Sequence, residues 1–285
     1  MLVAALYDIH GNLPALEAVM GEVRAAGVDR VVVGGDVVAG PMPRETLDYL
    51  LGLELPVQFI CGNADREVAA IRQPAAIRQP AAMRQPVAIR QPAARRRGEE
   101  MGAVPAGLGR VVQWVAEQLT PEQAAALAGW PATVTLAIEG VGQVLFCHAT
   151  PRNDTEIILK TTAEAKLRPV FAGVTADVVV CGHTHMQFDR WVGGAHGVGG
   201  AHGAGAVRVV NAGSVGMPYG EPGAYWLLLG PGGVEFRRTA YDFTGAAERV
   251  RATGYPEAED FAENNVMRVA TEAEALEVFG KGEVE

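Results

Sequence analysis

Short apolar runs alternate with amphipathic segments through the N-terminal part of the chain. The runs at residues 2–7, 30–33 and 57–61 are apolar at nearly every position, which is typical of strands buried on both faces. Between them, apolar residues recur at helical spacing over residues 13–26 and 44–51. Strands that alternate with helices in this way predict a parallel sheet covered by helices, and therefore an α/β fold.

Residues that favour helix ends support these boundaries. Asn12 precedes the first helix as an N-cap, Pro14 suits its first turn, and Gly27 follows it as a stop. Thr120 is predicted to cap a short alanine-rich helix that ends at residue 128. The other predicted helices span residues 108–119, 162–171 and 244–252, and the other strands span residues 133–138, 143–147, 177–181, 207–211, 225–229 and 234–239.

A low-complexity insertion interrupts the pattern at residues 71–97. The hexad Ile-Arg-Gln-Pro-Ala-Ala occurs there four times with small changes, and a proline in every hexad prevents a continuous helix. The insertion holds seven arginines and no acidic residue. We interpret it as a solvated surface loop, and the alternative is a basic flap that meets an anionic substrate or partner. The remainder of residues 1–265 is predicted to form one domain, followed by an acidic tail at residues 266–285.

Composition and charge narrow the class of protein. With 285 residues, 49% of them hydrophobic, the chain is long enough to bury a large core. The net charge of −9 argues against a general nucleic-acid binder, which needs a basic surface. No apolar run approaches the roughly 20 residues of a membrane span. The three cysteines are too few for a disulfide framework. We therefore expect a cytoplasmic protein without membrane contact, in which Cys61, Cys147 and Cys181 are small buried hydrophobic residues.

The first strand leads directly into a pair of potential metal ligands. Asp8 and His10 are two residues apart, so in an extended chain their side chains lie on one face. A carboxylate beside an imidazole suits Mn, Fe, Zn or Ni better than Ca. The pair alone is weak evidence, because Asp-x-His also occurs by chance.

Similar side chains recur where other predicted strands end, and ligands of parallel sheets bind beyond those ends. A single histidine is usually an ordinary core residue, but that explanation weakens when such residues follow several strands. His196 and His202 lie in a glycine-rich loop and are expected to be exposed. The full set is Asp8, His10, Asp36, Asn63, His148, His183 and His185, with the turn at residues 211–214 beside it.

The order of these motifs resembles that of the calcineurin-like metallophosphoesterase superfamily, in particular its bacterial phosphodiesterase-like group. The resemblance covers residues 1–70 and 105–265. It implies a four-layer α/β/β/α sandwich with a site for two divalent metal ions. By motif, one ion would be held by Asp8, His10 and His185, the other by Asn63, His148 and His183, and Asp36 would bridge the two.

This ligand set suits phosphoester hydrolysis on chemical grounds as well. Two cations can clamp a phosphoryl group and activate a bridging water. Neutral imidazoles and an amide keep such a site net cationic, as a phosphate requires. Glycines precede Asp36, Asn63 and His183, where they are expected to let the backbone turn sharply. Manganese is the expected metal, with iron, zinc, nickel or magnesium as alternatives.

One position departs from the family pattern. Many members have a histidine directly after the motif asparagine, where it assists the transition state or the leaving group, and here that residue is Ala64. Two substitutes are considered for the missing acid. Asp65 is interpreted chiefly as a residue that orients a metal ligand. Arg152 is either a donor to a phosphate oxygen or an ordinary surface arginine.

We therefore predict an enzyme that hydrolyses phosphodiester or phosphoanhydride bonds, with a small phosphoester or a nucleotide as substrate. One alternative is a non-catalytic scaffold of the same fold that binds a protein partner or a nucleotide, and the complete ligand set argues against it. The other is a metal-dependent nucleotide-binding module with slow turnover, which the missing histidine keeps in consideration. The sequence leaves homo-oligomerisation open.

Overall fold

Two five-stranded sheets form the centre of the protein. The computed structural model describes residues 1–72, 106–194 and 205–284. The strands β1 to β10 are Val3–Leu6, Arg30–Val33, Val57–Phe59, Thr133–Ile138, Gly142–Cys147, Val178–Cys181, Phe188–Val192, Val207–Asn211, Ala224–Gly230 and Gly233–Thr239. The helices α1 to α9 are Leu13–Ala25, Pro43–Leu51, Asn63–Arg72, Ala106–Gln118, Pro121–Ala128, Glu164–Phe171, Phe243–Arg251, Ala258–Phe261 and Glu272–Phe279, and a π-helical segment, Ala262–Met267, follows α8.

The first sheet contains the predicted parallel strands and two more. β2 lies between β1 and β3 and runs parallel to both, with Val3 opposite Arg30 and Val31 opposite Val57. β9 and β10 extend the sheet on the other side of β1 as antiparallel strands, which gives the order β10-β9-β1-β2-β3. The sheet is therefore mixed, and its parallel part is the part that the N-terminal pattern predicts.

The second sheet has the order β4-β5-β6-β8-β7. Its three central strands are parallel to one another, and β4 and β7 are antiparallel edges. The sequence pattern does not predict β7, because only Phe188 and Val192 are buried there while Asp189 and Trp191 are exposed. An edge strand that buries so few side chains has little apolar pattern to detect.

The two sheets pack against each other, and helices cover their outer faces. Alternate residues of β1 explain the arrangement, because Val3 and Ala5 face the second sheet while Ala4 and Leu6 face the helices. α1, α2, α4 and α7 pack on the outer face of the first sheet, and α6 packs on that of the second. This is the four-layer α/β/β/α sandwich that the motifs imply.

Side-chain caps fix several helix ends where the sequence indicates them. The side chain of Asn12 accepts a hydrogen bond from the Ala15 backbone amide at 3.3 Å. Thr120 and Gln123 form a reciprocal capping box at the start of α5. In the described ranges, no helix is both long enough and apolar enough to cross a membrane.

The low-complexity insertion begins inside a helix rather than in a loop. Its first two residues, Ile71 and Arg72, end α3. Ile71 packs against the core under the first sheet, and the Arg72 guanidinium donates to the Leu119 carbonyl. The rest of the insertion lies outside the described residues, as do His196 and His202.

The C-terminal segment that we interpreted as an acidic tail contains a packed helix. Thr271 and Glu274 form a capping box at the start of α9. Ala275 and Phe279 are buried in a small cluster with Tyr219. The acidic residues of α9 hide this pattern in the sequence, since they occupy its outer face and leave only two fully buried positions.

We expect Phe279→Ala to lower the free energy of unfolding by about 3–5 kcal/mol, because it removes a buried aromatic ring and leaves a cavity. Met267→Ala is the control, since Met267 is 39% exposed, and it should change that free energy by less than about 0.5 kcal/mol. Urea denaturation of both variants measures the difference. Equal free energies for the two would show that α9 does not pack as described.

Candidate metal centre

The structure brings all seven candidate ligands into one buried cluster. They come from both sheets, and each lies just beyond the carboxyl end of a strand, as predicted for a parallel arrangement. Asp8 and His10 follow β1, Asp36 follows β2, Asn63 follows β3 as the first residue of α3, His148 follows β5, and His183 and His185 follow β6.

Five of these residues have a left-handed backbone, which costs an L-amino acid roughly 1–2 kcal/mol. No other non-glycine residue in the described ranges has a positive φ. Such strain persists only where the surroundings enforce it, and it is common at functional sites. The φ angles are 52° at Asp8, 48° at His10, 51° at Asp36, 67° at His183 and 59° at His185.

Glycines beside the ligands let backbone segments and carboxylates approach closely. Gly35 has a φ of 96° and turns the chain after β2, as predicted. Gly62 and Gly182 have no positive φ, and a Cβ atom at these positions would lie 2.2 Å from Asp36 Oδ1 and 2.4 Å from Asp8 Oδ2. These two glycines therefore do not serve to reach a left-handed backbone, and their role is to leave room for a carboxylate.

The ligand atoms form two groups, each compact enough to hold one cation. Within a group, one atom from each residue lies within 4.8 Å of the others. Asp36 Oδ2 lies 3.5 Å from His148 Nε2 in its own group and 3.8 Å from His10 Nε2 in the other, so this carboxylate faces both. The first group is Asp8, His10 and His185, and the second is Asp36, His148 and His183.

Hydrogen bonds fix the tautomers of the first two histidines. His10 Nδ1 lies 3.1 Å from the Ala39 carbonyl oxygen, and His185 Nδ1 lies 2.8 Å from that of Met217. Each carbonyl requires a proton on Nδ1, so both neutral imidazoles carry a lone pair on Nε2. The two Nε2 atoms are only 3.2 Å apart. Because facing lone pairs repel, this contact fits a cation that both nitrogens bind.

In the second group a carbonyl fixes only one of the two histidines. His148 Nδ1 donates to the Gly34 carbonyl at 2.9 Å, so the neutral imidazole carries its lone pair on Nε2. That Nε2 lies 3.2 Å from His183 Nδ1 and 3.1 Å from Asn63 Oδ1. A reversed Asn63 amide would donate to both histidines, and hydrogen bonding alone favours it. We retain the oxygen facing inward, because a cation is bound by the amide oxygen and not by its nitrogen.

Asp8 has one carboxylate oxygen without a hydrogen-bond donor. Its Oδ2 accepts from the His183 backbone amide at 2.8 Å. Its buried Oδ1 accepts from no group in the described ranges and lies 3.4 Å from His185 Nε2. An unsatisfied buried carboxylate oxygen is costly. A divalent cation in the first group would supply the missing interaction, so the residues present fit a metal ion.

The charges in the cluster also favour a cation. Burial opposes ionisation of Asp36, but the neighbouring His148 outweighs it and holds the pKa of Asp36 well below its usual range. Burial, reinforced by His148, lowers the pKa of His183 to about 4. Burial also opposes a charge on His148, yet Asp36 and Asp8 raise its pKa to about 10. Without a metal, His148 therefore also holds a proton on Nε2, and the negative charge that draws this proton equally attracts a metal ion that would replace it.

Asp65 supports the backbone of the site. Its buried carboxylate accepts from the backbone amides of Val37 at 2.9 Å, Val38 at 3.2 Å and Gly62 at 3.3 Å. These amides belong to the loops that follow β2 and β3. Burial, together with the charge of Asp36, raises the pKa of Asp65 to about 7. Asp65 therefore positions the loops that carry ligands and does not bond to a ligand side chain.

Arg152 lies outside the cluster. Its side chain is 46% exposed, and Nη2 donates to Glu156 Oε1 at 2.6 Å. Its Nη1 donates to the Pro169 carbonyl at 3.4 Å. These bonds engage the guanidinium with groups that are not candidate ligands. They favour the surface arginine that the sequence left as the alternative, and a contact with a phosphate oxygen stays a prediction.

The cysteines do not take part in either group. All three are free thiols, and Cys147 and Cys181 are buried as predicted. Cys61 is only partly buried, so the prediction is wrong in that respect. Burial raises the pKa of Cys61 to about 12, which keeps its thiol protonated and inert.

The sequence did not point to Tyr219, which lies directly against the cluster. Its ring stacks on His185 with the centroids 5.9 Å apart and the planes at 27°. Tyr219 lies in a loop without hydrophobic periodicity. Its one sequence clue is that it follows closely after the turn at residues 211–214.

The comparison with protein families identifies the chain. The sequence model of the calcineurin-like phosphoesterase superfamily domain matches residues 1–230. The chain belongs to this superfamily. The resemblance carried by the motifs is confirmed, and the two ligand groups agree with the divalent metals that this superfamily binds.

One relative matches the chain in sequence, and two solved structures share its fold. The chain is 23% identical over 263 residues to the uncharacterized protein MJ0912 of Methanocaldococcus jannaschii, which covers 90% of this chain and 94% of that protein. The crystal structure of a metallophosphoesterase from Sphaerobacter thermophilus matches with a TM-score of 0.64 and 23% identity over 94% of this chain and 98% of that one. The hypothetical protein PH1004 from Pyrococcus horikoshii matches with a TM-score of 0.67 and 21% identity over 92% and 97%.

We expect Gly62→Ala to reduce the metal content of the purified protein, because the added Cβ would displace the Asp36 carboxylate. Gly21→Ala is the matched control. Gly21 lies on the exposed face of α1 with no atom within 4 Å of an added Cβ, so it should leave metal content unchanged and stabilise the helix by about 0.5–1 kcal/mol. Elemental analysis measures the metal, and full occupancy in Gly62→Ala would contradict the role assigned to this glycine.

Proposed function

We propose that the protein is a phosphoesterase that hydrolyses phosphodiester or phosphoanhydride bonds at two divalent metal ions. The observation that carries the proposal is the meeting of two imidazole nitrogens within each ligand group, with the lone pairs of His10 and His185 directed at each other. His10 Nε2 and His185 Nε2 lie 3.2 Å apart, and so do His148 Nε2 and His183 Nδ1. When bound, two cations polarise a phosphoryl group and lower the pKa of the attacking water.

The protein's own part in this reaction is to hold and orient the ligands. The backbone amide of Ala64 donates to Asp36 Oδ1 at 2.8 Å, which leaves Oδ2 to face both ligand groups. The amide of His183 fixes Asp8 in the same way. The ligand set assigned by motif then follows: Asp8, His10 and His185 for one ion, Asn63, His148 and His183 for the other, and Asp36 for both.

The donor set supports manganese as the metal. Carboxylate and amide oxygens mixed with imidazole nitrogens suit Mn, while Fe, Zn, Ni and Mg remain alternatives for the same ligands. The free thiols fit a reducing compartment, and we place the enzyme in the cytoplasm.

A catalytic role is better supported than a scaffold role. In the described ranges, the non-glycine residues with strained φ angles are all candidate ligands. A surface that only binds a partner does not need this backbone strain. The complete donor set argues in the same direction.

The substrate class follows from the missing acid. Ala64 has no side chain that can protonate a leaving group, Asp65 bonds to backbone amides, and Arg152 pairs with Glu156. Esters whose leaving group is stable as an anion need little such help. We therefore propose aryl phosphodiesters and nucleotide phosphoanhydrides as substrates, ahead of simple alkyl monoesters.

We expect Asp36→Asn to lower kcat for an aryl phosphodiester by at least about 100-fold, because a neutral amide weakens both metal positions while the fold survives. Asp260→Asn, on the exposed face of α8, removes the same charge away from the cluster and should keep the wild-type rate. Steady-state kinetics with added Mn²⁺ and with a chelator test both. Metal-independent turnover, or a fully active and metal-loaded Asp36→Asn protein, would refute the proposal.

Ala64→His should raise kcat/KM for alkyl esters more than for aryl esters. An imidazole at this position can protonate a departing oxygen, and general acid catalysis typically contributes about 10²–10⁴-fold. Alkyl leaving groups depend on that proton, whereas aryl leaving groups do not. The measurement is kcat/KM for one substrate of each type in both proteins. An equal change for the two, or none, would show that Ala64 does not limit the departure of the leaving group.

A further inference from the structure

Tyr219 is held in a fixed place between the ligand cluster and the C-terminal helix. One face of its ring lies against His185. Phe279 of α9 meets the ring edge-on, with the centroids 5.9 Å apart and the planes at 79°. The next residue, Gly220, donates its amide to the Ala270 carbonyl at 2.9 Å, which ties the loop to the segment before α9.

The hydroxyl of Tyr219 has no hydrogen-bond partner in the described part of the chain, whereas the buried hydroxyl of Tyr7 donates to the Val180 carbonyl at 3.0 Å. Tyr219 is 9% exposed, and its hydroxyl is not among the enclosed polar atoms that lack a partner. The ring is therefore largely buried, and no described group holds its hydroxyl. A phenol ordinarily titrates at about pH 10, so at neutral pH the group is a neutral hydroxyl that can donate its proton in a hydrogen bond.

A neutral donor at this place suits one kind of ligand. The neighbouring ligand atoms are imidazole nitrogens with lone pairs and carboxylate oxygens. A metal-loaded cluster would therefore offer a substrate two cations but few hydrogen-bond donors. Phosphoryl oxygens are acceptors and gain from a donor that a rigid aromatic ring aims at them. The stack on His185 and the contact with Phe279 supply that rigidity.

We propose that the Tyr219 hydroxyl binds a non-bridging oxygen of the phosphoryl group at the two-metal site. This inference rests on the proposed function, since it takes the bound group to be a phosphoryl group. Tyr219 thereby acts as a substrate-binding residue, and α9 acts through Phe279 to position it. The Tyr219 hydroxyl gives the substrate a hydrogen-bond donor on the side of the site formed by the loop after β8.

The test is the binding of inorganic phosphate to the Mn²⁺-loaded protein, measured by calorimetry. Tyr219→Phe keeps the ring and its stacking, and it removes only the hydroxyl. We expect this variant to bind phosphate about 10- to 100-fold more weakly, as for the loss of one hydrogen bond to a charged group. Metal content and melting temperature should match those of the wild type.

Tyr255→Phe is the matched control. Tyr255 is also 9% exposed and its hydroxyl likewise has no partner among the described residues, but it packs against Trp114 and Phe261 away from the ligands. This variant should bind phosphate as the wild type does. Equal affinities in Tyr219→Phe and the wild type would overturn the inference, and so would a metal-loaded wild type that does not bind phosphate.

Kinetics separate this inference from the proposed function. If the wild type hydrolyses an aryl diester while Tyr219→Phe shows the same KM, kcat and phosphate affinity, only the role of Tyr219 fails. If the wild type binds phosphate through Tyr219 but turns over no phosphoester, the binding role stands and the proposed function fails.

Discussion

Basic atoms that face one another at about 3 Å are the constraint on which this structure depends. His10 and His185 direct lone pairs at the same space because carbonyl oxygens hold their protons on the opposite nitrogens. Each imidazole is thus fixed in the tautomer that a cation requires, before any cation binds. Without a metal these lone pairs repel each other, so the surrounding fold has to hold the two imidazoles in place.

The fold enforces it through strained loops on a rigid frame. Three of the strands that carry ligands, β1, β2 and β6, are almost fully buried between two layers, so the loops after them cannot relax independently. Glycines without side chains allow the carboxylates of Asp8 and Asp36 to pack against neighbouring backbone. Asp65 ties two of these loops together through three backbone amides. Backbone strain at the cluster therefore lowers the stability of the protein, and packing of the core around it offsets that cost.

Two features beside the ligands lie outside the family pattern. Ala64 removes an imidazole from one side of the cluster, and its backbone amide serves only to hold Asp36. On another side, the C-terminal helix supports Tyr219 against His185. α9 lies beyond the residues that the family model matches. A helix outside the matched residues thus contacts an aromatic residue that packs against the cluster.

The sequence by itself indicated β1 to β3, α1 and α2, the α/β class and the candidate ligands, but it missed α3, which begins at Asn63. These follow from local chemistry: continuous apolar runs mark buried strands, and polar residues at their carboxyl ends can reach one crevice. It did not determine which other residues contact the cluster. Arg152 pairs with Glu156 and is 46% exposed, whereas Tyr219 stacks on His185 and is contacted by Phe279, which is distant in sequence. β7 and α9 escaped prediction because each buries only two side chains fully, and only contacts across the tertiary structure make them stable.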